Sequence, residues 1–370
     1  MSPAPPPSRI LVRGVNWLGD AVMTTPALIR LREHFPQARI TLLCHEKLLG
    51  LWKEHPALDD IRTFADGDSP WTTGRRLREG AFDLAVVLPN SFRSALEPCF
   101  AGIPRRIGGG SGIRRWLLTQ AVPPDPTVVR MQKRTPRQVQ RLVESPARPR
   151  PPIPESSHQL HHYLRIVGAT GASTNPLPPR LGLAAEELQA AHAELFPRGM
   201  NVPVVGLNAG AEYGPAKRWP IERFAEVANR LHDATGCRFL VFGGPADLIL
   251  AGQLSNRIHT APVTVLAGKT TLRQLVSRLA CCDVLLTNDT GPMHVAAALG
   301  VPVVVPFGST SPELTGPGNP GDPRHALIRS EAACAPCFLR QCPVDFRCMK
   351  SIEVTPVVEA IQRILSRGPA

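Results

Sequence analysis

Apolar runs followed by polar, glycine-containing segments recur along the chain, and they alternate with stretches whose apolar residues have helical spacing. In the first half this pattern predicts strands at 9–15, 38–44 and 84–88, and helices at 21–35 and 158–168. A proline-rich segment at 176–179 precedes a helix at 183–195, after which the alternation starts again. There the pattern predicts strands at 202–207, 238–242, 263–266, 284–286 and 301–305, and helices at 221–234, 248–258, 271–279, 293–299 and 355–367.

Strands that alternate with helices, twice over and across a linker, are typical of two doubly wound parallel sheets. The sequence therefore predicts an α/β protein with two Rossmann-like domains facing a central cleft. We expect the N-terminal domain to span 9–175, a linker with a connecting helix to span 176–200, and the second domain to span 201–350. The first βα unit lacks the second and third glycines of a dinucleotide fingerprint, which argues against a nicotinamide or flavin site.

The composition narrows the class of protein. Of 370 residues, 43% are hydrophobic and 19% charged, which is an ordinary globular balance. Because no apolar run is long enough for a membrane span and the start lacks the apolar core of a signal peptide, a cytoplasmic protein is expected. The net charge of +12 predicts an anionic partner: nucleic acid, lipid headgroups or a phosphorylated sugar. Aromatic residues make up only 5% and are not interleaved with basic ones, so no nucleic acid partner is expected.

Asp20 follows a glycine just after the first predicted strand, where it would lie at the mouth of a crevice. A carboxylate there can act as a general base toward an acceptor hydroxyl. The alternative is a helix N-cap, which Asp also favours.

The segment 283–308 has a strand, the tight loop Asn288–Gly291, a helix and a further strand. Asp289 and Thr290 occupy the position of a helix N-cap, and Gly291 leaves backbone N–H groups open to a close ligand, an arrangement that suits a diphosphate. The alternative is an ordinary capped βαβ crossover without a ligand.

Residues 104–150 are rich in arginine. Such a run is typical of a solvated or mobile surface, but arginines near one crevice can also hold phosphates or carboxylates bidentately. The following residues, 145–156, are rich in proline and arginine and predict a loop or flexible excursion.

Four separated segments together resemble glycosyltransferase family 9, the ADP-heptose:lipopolysaccharide heptosyltransferases, and the resemblance extends from about residue 9 to 352. They are Asn-Trp-Leu-Gly-Asp at 16–20, Leu-Pro-Asn-Ser-Phe-Arg-Ser at 88–94, the segment 208–220 with Gly-Pro-Ala-Lys-Arg-Trp-Pro, and Thr-Asn-Asp-Thr-Gly-Pro-Met-His at 287–294.

The resemblance implies a GT-B fold, an ADP-heptose donor and an inner-core lipopolysaccharide acceptor that carries lipid A, Kdo and a first heptose. It also implies inversion at the donor's anomeric carbon, in one displacement that needs a base and a stabiliser of the leaving diphosphate. It implies that Asp20 is the base, that no metal or other cofactor is required, and that a C-terminal helix at 351–370 crosses back to the first domain.

The same resemblance assigns donor-binding residues. Lys217 would offset the charge of the departing ADP, although a solvated loop cation is the alternative. Backbone N–H groups at Thr290 and Gly291 would cradle the diphosphate, Asp289 would bind sugar hydroxyls, and His294 would either reach phosphate or support the loop. The other donor-binding candidates are Asn208 and Gly210, Asp247 for ribose hydroxyls, and Gly268 to Thr270 for adenine.

Asn90, Ser91 and Arg93 are the acceptor-binding candidates. With part of the arginine run they would bind Kdo carboxylates and lipid A phosphates, which accounts for the basic charge without nucleic acid. The same charge is expected to hold the protein peripherally on the cytoplasmic face of the inner membrane.

Nine cysteines form two groups. Five are in apolar contexts typical of small core residues. Cys334, Cys337, Cys342 and Cys348 form a C-x₂-C-x₄-C-x₅-C cluster that allows zinc binding by four thiolates, but reduced thiols or an incidental disulfide are favoured because the second pair has no C-x₂-C spacing.

Two alternatives stay open. The chain could be another family 9 or GT-B enzyme that uses a different nucleotide sugar, which release of UDP instead of ADP would identify. It could also be a non-catalytic protein that binds nucleotide sugars or lipid headgroups, against which Asp20 and Lys217 argue.

Overall fold

The computed structural model describes residues 5–145, 151–199, 201–259 and 261–367. They form two compact units. The first contains the described residues up to Val128 together with Ser156–Gly182, and the second contains Val129–Glu155 together with the described residues from Leu183 onward. No helix in these described ranges is long and apolar enough to cross a membrane.

Each unit is built on a six-stranded parallel sheet. The first sheet has the order β3-β2-β1-β4-β5-β6 and the second β12-β11-β10-β7-β8-β9. The strands are β1 (Arg9–Arg13), β2 (Arg39–His45), β3 (Asp60–Phe64), β4 (Leu84–Val87), β5 (Arg105–Gly109), β6 (Gln120–Val122), β7 (Val204–Asn208), β8 (Arg238–Val241), β9 (Val263–Val265), β10 (Val284–Thr287), β11 (Val303–Phe307) and β12 (Ala326–Arg329).

Helices connect the strands in both units. They are α1 (Leu18–Met23), α2 (Thr25–His34), α3 (Leu49–Trp52), α4 (Pro70–Leu77), α5 (Phe92–Phe100), α6 (Pro136–Val143), α7 (Gln159–Gly168), α8 (Ala185–Leu195), α9 (Ile221–Thr235), α10 (Leu248–Ser255), α11 (Leu272–Leu279), α12 (Gly291–Ala298), α13 (Pro312–Thr315), α14 (Arg347–Lys350) and α15 (Val354–Ser366). The α/β class and the two Rossmann-like units agree with the sequence prediction.

The central strands are the ones that the apolar runs predicted. In β1, β4, β7 and β10 the apolar side chains are buried, because helices cover both faces of a parallel sheet. Helix α9 shows the complementary pattern: Phe224, Val227 and Leu231 are fully buried, and burial of each side chain contributes about 1.5–3 kcal/mol. Gly236 ends this helix with a φ of 67°, the left-handed conformation that glycine adopts without strain.

The predicted helix 21–35 is two helices. α1 ends at Met23 and α2 begins at Thr25, with Pro26 in its first turn. Proline has no N–H to donate to the carbonyl of Val22 and its ring would clash there, so one continuous helix is disfavoured. The hydroxyl of Thr25 donates to that carbonyl at 2.9 Å.

The expected domain boundaries need two corrections. The described residues between 129 and 155 belong to the second unit, where Arg134 donates its backbone N–H to the carbonyl of Cys337 at 3.0 Å and Val139 is buried in the core. The C-terminal helix α15 also belongs to the second unit: it packs on α9 and buries Val357 and Ile361 in the same core. This corrects the expectation that it crosses back to the first domain. Of the expected excursion at 145–156, residues 146–150 lie outside the described ranges.

Candidate functional site

The strand order reverses at the same place in both sheets. In the first unit the chain leaves β1 toward β2 on one side, and β4 lies on the other side. In the second unit β7 and β10 have the same relation. Ligands of open α/β sheets bind outside the carboxyl ends of the strands at such switch points. The loops that follow β1, β4, β7 and β10 contain most of the residues that the sequence singles out.

Asp20 is the third residue of α1, just beyond the loop that leaves β1. The N-cap position is occupied by Trp17, without a side-chain capping bond, so the alternative of Asp20 as the N-cap is wrong. Tyr163 of α7 is fully buried, and its hydroxyl hydrogen-bonds to the Asp20 carboxylate and to the side chain of Gln159. Burial and the neighbouring Asp20 charge raise the pKa of Tyr163 well above its usual value, so the phenol keeps its proton.

A buried ion pair that was not among the predicted site residues supports the loop before Asp20. Arg13 Nε lies 2.6 Å from Glu97 Oε2 of α5, and both side chains are almost completely buried. A second Arg13 nitrogen donates to the carbonyl of Gly14 at 2.5 Å and to Asn16 Oδ1 at 3.0 Å. These bonds fix the turn between β1 and α1. The signal was an arginine that directly follows the apolar run Ile10–Val12 at the end of β1.

The acceptor candidates lie after β4. Ser91 caps α5, because its hydroxyl accepts the backbone N–H of Ser94 at 3.2 Å. The Asn90 amide nitrogen lies 3.1 Å from His162 Nε2, and burial lowers the pKa of His162 to about 4, so this ring is neutral at physiological pH. Arg93 donates to the carbonyl of Asp68. Hydrogen bonds to His162 and Asp68 thus hold the segment that contains the acceptor candidates in place.

Arg114, a member of the basic run, donates hydrogen bonds to this loop from the 3₁₀ segment Gly112–Leu117. Its guanidinium is buried and donates to the carbonyls of Pro89 at 2.6 Å, Ser91 at 3.1 Å, and Gly109. Burial lowers the pKa of Arg114 from its usual value. Arg114 therefore has a structural role. The sequence alone could not distinguish this buried arginine from the solvated arginines of the same run.

In the second unit two asparagines join the loops after β7 and β10. The Asn208 amide donates to the Thr287 hydroxyl at 3.0 Å. Asn288 was not among the candidates, yet its buried amide donates to the carbonyl of Ala209 at 2.8 Å and accepts the N–H of Trp219 at 3.0 Å. Trp219 is fully buried and donates its indole N–H to the carbonyl of Ile352, so it packs the loop. These bonds set the position of Lys217.

Lys217 and Asp289 form an ion pair at this edge of the sheet. Lys217 Nζ lies 2.7 Å from Asp289 Oδ2 and donates to the Asp289 carbonyl at 3.2 Å. It also lies 4.9 Å from the centre of the Tyr213 ring, whose hydroxyl donates to the carbonyl of Phe338 at 2.8 Å. Lys217 is therefore fixed by specific contacts, which rules out the solvated loop cation.

Helix α12 begins directly after this pair. Thr290 is its N-cap residue and makes no side-chain capping bond, whereas Asp289 is turned to Lys217 and is not the cap. Gly291 is the first helical residue, and His294, four residues beyond the cap, is buried. The N-terminal end of a helix with its partial positive charge thus lies beside a lysine, an arrangement suited to an anion.

The remaining donor candidates surround the loop after β8. A Cβ atom added to Gly210 would lie 2.5 Å from the Asp247 carboxylate, so these two residues are in close contact. Asp247 accepts the N–H of Gly244 at 3.1 Å, and Gly268, with a φ of 68°, donates its N–H to the carbonyl of Gly243 at 3.0 Å. Thr270 is half-buried just before α11.

The four late cysteines are free thiols that precede α15; Cys334, Cys337 and Cys342 lie in a loop and Cys348 lies in α14. Cys334 and Cys348 are hydrogen-bonded, which lowers the pKa of Cys334 to about 6 and raises that of Cys348. Cys342 Sγ accepts the N–H of Phe346 at 3.3 Å. Within the described ranges no three or more His, Cys, Asp or Glu side chains are grouped as metal ligands.

Comparisons with known proteins agree on one family. The family model for glycosyltransferase family 9 (heptosyltransferase) matches residues 71–346. Lipopolysaccharide heptosyltransferase 2 of Escherichia coli K12 is 33% identical over 324 residues, covering 84% of this chain and 85% of the relative. The Salmonella typhimurium protein of the same name is also 33% identical, over 319 residues and the same shares of both chains. The solved structure of E. coli ADP-heptose lps heptosyltransferase II has a TM-score of 0.75 and 28% identity, covering 98% of this chain and 100% of that one.

Proposed function

This chain belongs to glycosyltransferase family 9, the heptosyltransferases, and on that premise we propose that it transfers the second heptose of the lipopolysaccharide inner core. The donor is ADP-L-glycero-D-manno-heptose, and the acceptor is the first heptose on Kdo and lipid A. The similarity to the heptosyltransferase 2 proteins over most of both chains carries this proposal, and the GT-B fold of their solved relative is consistent with it.

The donor's diphosphate binds at the start of α12. Backbone N–H groups around Thr290 and Gly291, together with the positive end of the helix dipole, favour an anion there. Lys217 is already held 2.7 Å from Asp289, so its ammonium reaches the diphosphate without an ordering cost. Asp289 then shares its two oxygens between Lys217 and a hydroxyl of the donor sugar. His294, buried in the first turns of α12, supports the loop.

The adenosine half of the donor lies toward the loop after β8. Asp247 accepts ribose hydroxyls: Oδ2 receives the N–H of Gly244 and Oδ1 lies 3.7 Å from Arg218, and each carboxylate oxygen has a second lone pair for a hydroxyl. Gly210 must lack a side chain, because any Cβ would collide with that carboxylate. Asn208 holds the strand end beneath it, and backbone atoms from Gly268 to Thr270 contact the adenine ring.

Asp20 is the general base. It takes the proton of the acceptor hydroxyl while the oxygen attacks the anomeric carbon, and the bond to the β-phosphate oxygen breaks with inversion. Lys217 and the end of α12 stabilise the negative charge that develops on the departing ADP. One displacement needs no enzyme nucleophile and, with these cationic groups, no metal.

Tyr163 positions the base. Its hydroxyl donates to the Asp20 carboxylate, which holds the carboxylate in one orientation and favours its charged form. Because the tyrosine is buried, this bond is shielded from water and stronger than a surface bond. Tyr163 does not touch the substrate in this scheme.

We call the loop between β4 and α5 (residues 88–91), together with the first turn of α5, the acceptor loop; it contains Asn90, Ser91 and Arg93. All three are exposed and each also makes a hydrogen bond within the protein, so we assign to them both the shape of the acceptor loop and direct contact with the acceptor. Exposed arginines of the basic run bind Kdo carboxylates and lipid A phosphates. The enzyme works at the cytoplasmic face of the inner membrane, in peripheral contact with it.

The test supplies ADP-heptose with two purified acceptors, lipid A–Kdo with one heptose and lipid A–Kdo without heptose. We expect a mass increase of one heptose only with the first acceptor, together with one ADP released per transfer. Transfer to the heptose-free acceptor at a comparable rate would contradict the assignment as the second transferase.

UDP-sugars serve as the control donors in the same assay. Release of UDP in place of ADP would identify another nucleotide-sugar enzyme of the same fold. Donor binding without release of either nucleotide, with every acceptor, would favour the non-catalytic binding protein.

A further inference from the structure

Three large apolar side chains are exposed beside the acceptor loop. Ile113 and Trp116 lie in the short 3₁₀ segment Gly112–Leu117 and are 72% and 75% exposed, respectively. Phe92, at the start of α5, is 45% exposed. We call Phe92, Ile113 and Trp116 the Trp116 patch. Exposing such side chains costs hydration free energy, so their placement on one loop system needs an explanation.

The Trp116 patch is held to the acceptor loop by Arg114. This buried arginine lies between Ile113 and Trp116 in sequence, and it donates to the carbonyls of Pro89 and Ser91. Ser91 directly precedes Phe92. The exposed apolar groups are thus fixed next to the loop that carries Asn90, so they are not a loosely attached surface feature.

The charge around the patch is positive. From residue 105 to 120 the chain has four arginines and no carboxylate. The Arg115 guanidinium lies 4.9 Å from the centre of the Trp116 ring, and the Arg93 side chain is 47% exposed. Tryptophan with arginine beside it is the combination found at the headgroup level of membranes, where the ring is partly buried and the cation meets anionic lipid.

We propose that the Trp116 patch inserts into the headgroup region of an anionic lipid bilayer, with Trp116 and Ile113 in the acyl boundary and Arg115 on lipid phosphates. The inference rests on the proposed function for its purpose: an acceptor anchored by lipid A presents its sugars at that surface. Docking next to Asn90 would bring the acceptor loop to the membrane plane. The binding itself is measurable without any transfer reaction.

The experiment measures co-sedimentation of the full chain with vesicles of phosphatidylethanolamine and phosphatidylglycerol, and with phosphatidylcholine vesicles for comparison. We expect binding to the anionic vesicles that weakens with salt, and a loss of about tenfold or more in the double variant Ile113→Ser/Trp116→Ser. Arg115→Gln should weaken binding less and flatten the salt dependence. Ile249→Ser is the matched control, because Ile249 is 78% exposed on α10 in the second unit.

A second readout localises the insertion to one ring. Brominated phospholipids should quench part of the tryptophan emission of the wild type, and Trp116→Phe should lose that part while still sedimenting with vesicles. Circular dichroism of each variant excludes unfolding as the cause. Equal vesicle binding by the double variant and the Ile249→Ser control would overturn the proposal, as would quenching that persists in Trp116→Phe.

Activity separates this inference from the proposed function. On an acyl-free inner-core oligosaccharide the double variant should turn over like the wild type, and on acceptor embedded in vesicles it should be slower. Transfer to both acceptors without vesicle binding would contradict membrane insertion of the Trp116 patch and would still support the proposed heptosyltransferase function. Vesicle binding without transfer would support membrane insertion and would contradict the proposed heptosyltransferase function. If light scattering shows that the double variant loses a dimer and keeps vesicle binding, the patch is instead an interface between two copies.

Discussion

Replacing Tyr163 with phenylalanine tests how the proposed base is held. The substitution removes one buried hydroxyl and keeps the ring, so the packing of α7 should change little. Asp20 loses the hydrogen bond from that hydroxyl, and a bond to an ionised partner is worth about 1.5–3 kcal/mol. Because the carboxylate is partly neutralised in the transition state, the bond is stronger in the ground state, so kcat at high pH should change by less than about tenfold and the main effect should be on the pH profile.

The pH dependence of kcat shows in which direction Tyr163 shifts the protonation of Asp20. The Tyr163 hydroxyl donates to the charged carboxylate and so favours the form that can accept a proton. Without it, the carboxylate is protonated at higher pH, and the acid limb of the kcat profile should move toward neutral pH. The KM for ADP-heptose should stay close to that of the wild type, because Tyr163 belongs to the first unit and the donor residues to the second.

The assay follows ADP release against pH with saturating donor and acceptor. Ile166→Val is the control: Ile166 is fully buried on the same helix, and this change costs about 0.5–1.5 kcal/mol of stability without touching Asp20. We expect its pH profile to match the wild type. An unshifted acid limb in Tyr163→Phe, or an equal shift in Ile166→Val, would refute the positioning role.

The other predictions concern the donor site and stability. Lys217→Ala should weaken ADP binding about tenfold or more and slow turnover, because the diphosphate loses a charged partner. Lys350→Ala, on the exposed surface of the same unit, is the control and should change neither. If calorimetry gives both variants the ADP affinity of the wild type, Lys217 does not bind the diphosphate. Glu97→Gln leaves the buried Arg13 charge uncompensated and should lower the free energy of unfolding by about 3–5 kcal/mol, against about 0.5 kcal/mol or less for the exposed Glu79→Gln, as measured by urea denaturation. Burial lowers the pKa of His55 to about 4, so between about pH 6.5 and 4 the unfolded chain binds a proton that the folded chain does not. The free energy of unfolding should therefore fall as the pH drops through this range, by about 1–2 kcal/mol at pH 5. His55→Gln should make the free energy of unfolding less dependent on pH there.

The predicted parts of the fold are those in which apolar runs are continuous. β1, β4, β7 and β10 are buried on both faces, so their sequences are almost purely apolar and could be recognised. β3 has the sequence Asp-Ile-Arg-Thr-Phe and β5 begins with two arginines, so charged residues interrupt the apolar pattern in both strands and removed the signal. Helix α6 was hidden in the basic run, and only its contacts with the second unit reveal where Val139 is buried.

For the site, sequence motifs identified residues near the strand ends but not the groups that hold them. Asp20 and Lys217 stand in short motifs that a single sequence displays. Tyr163 and Arg114 are far from their partners along the chain, and each has an ordinary sequence context, so only folding brings them to Asp20 and to the acceptor loop. The pairing of Lys217 with Asp289 was likewise invisible, although both residues were candidates.

The most direct test of the central claim compares donor binding and turnover in Asp20→Ala. We expect Asp20→Ala to bind ADP-heptose with the calorimetric affinity of the wild type and, in a single-turnover assay with the mono-heptosylated acceptor, to lose nearly all heptose transfer. Near-normal transfer by this variant would show that the proton of the acceptor hydroxyl goes elsewhere and would contradict the account.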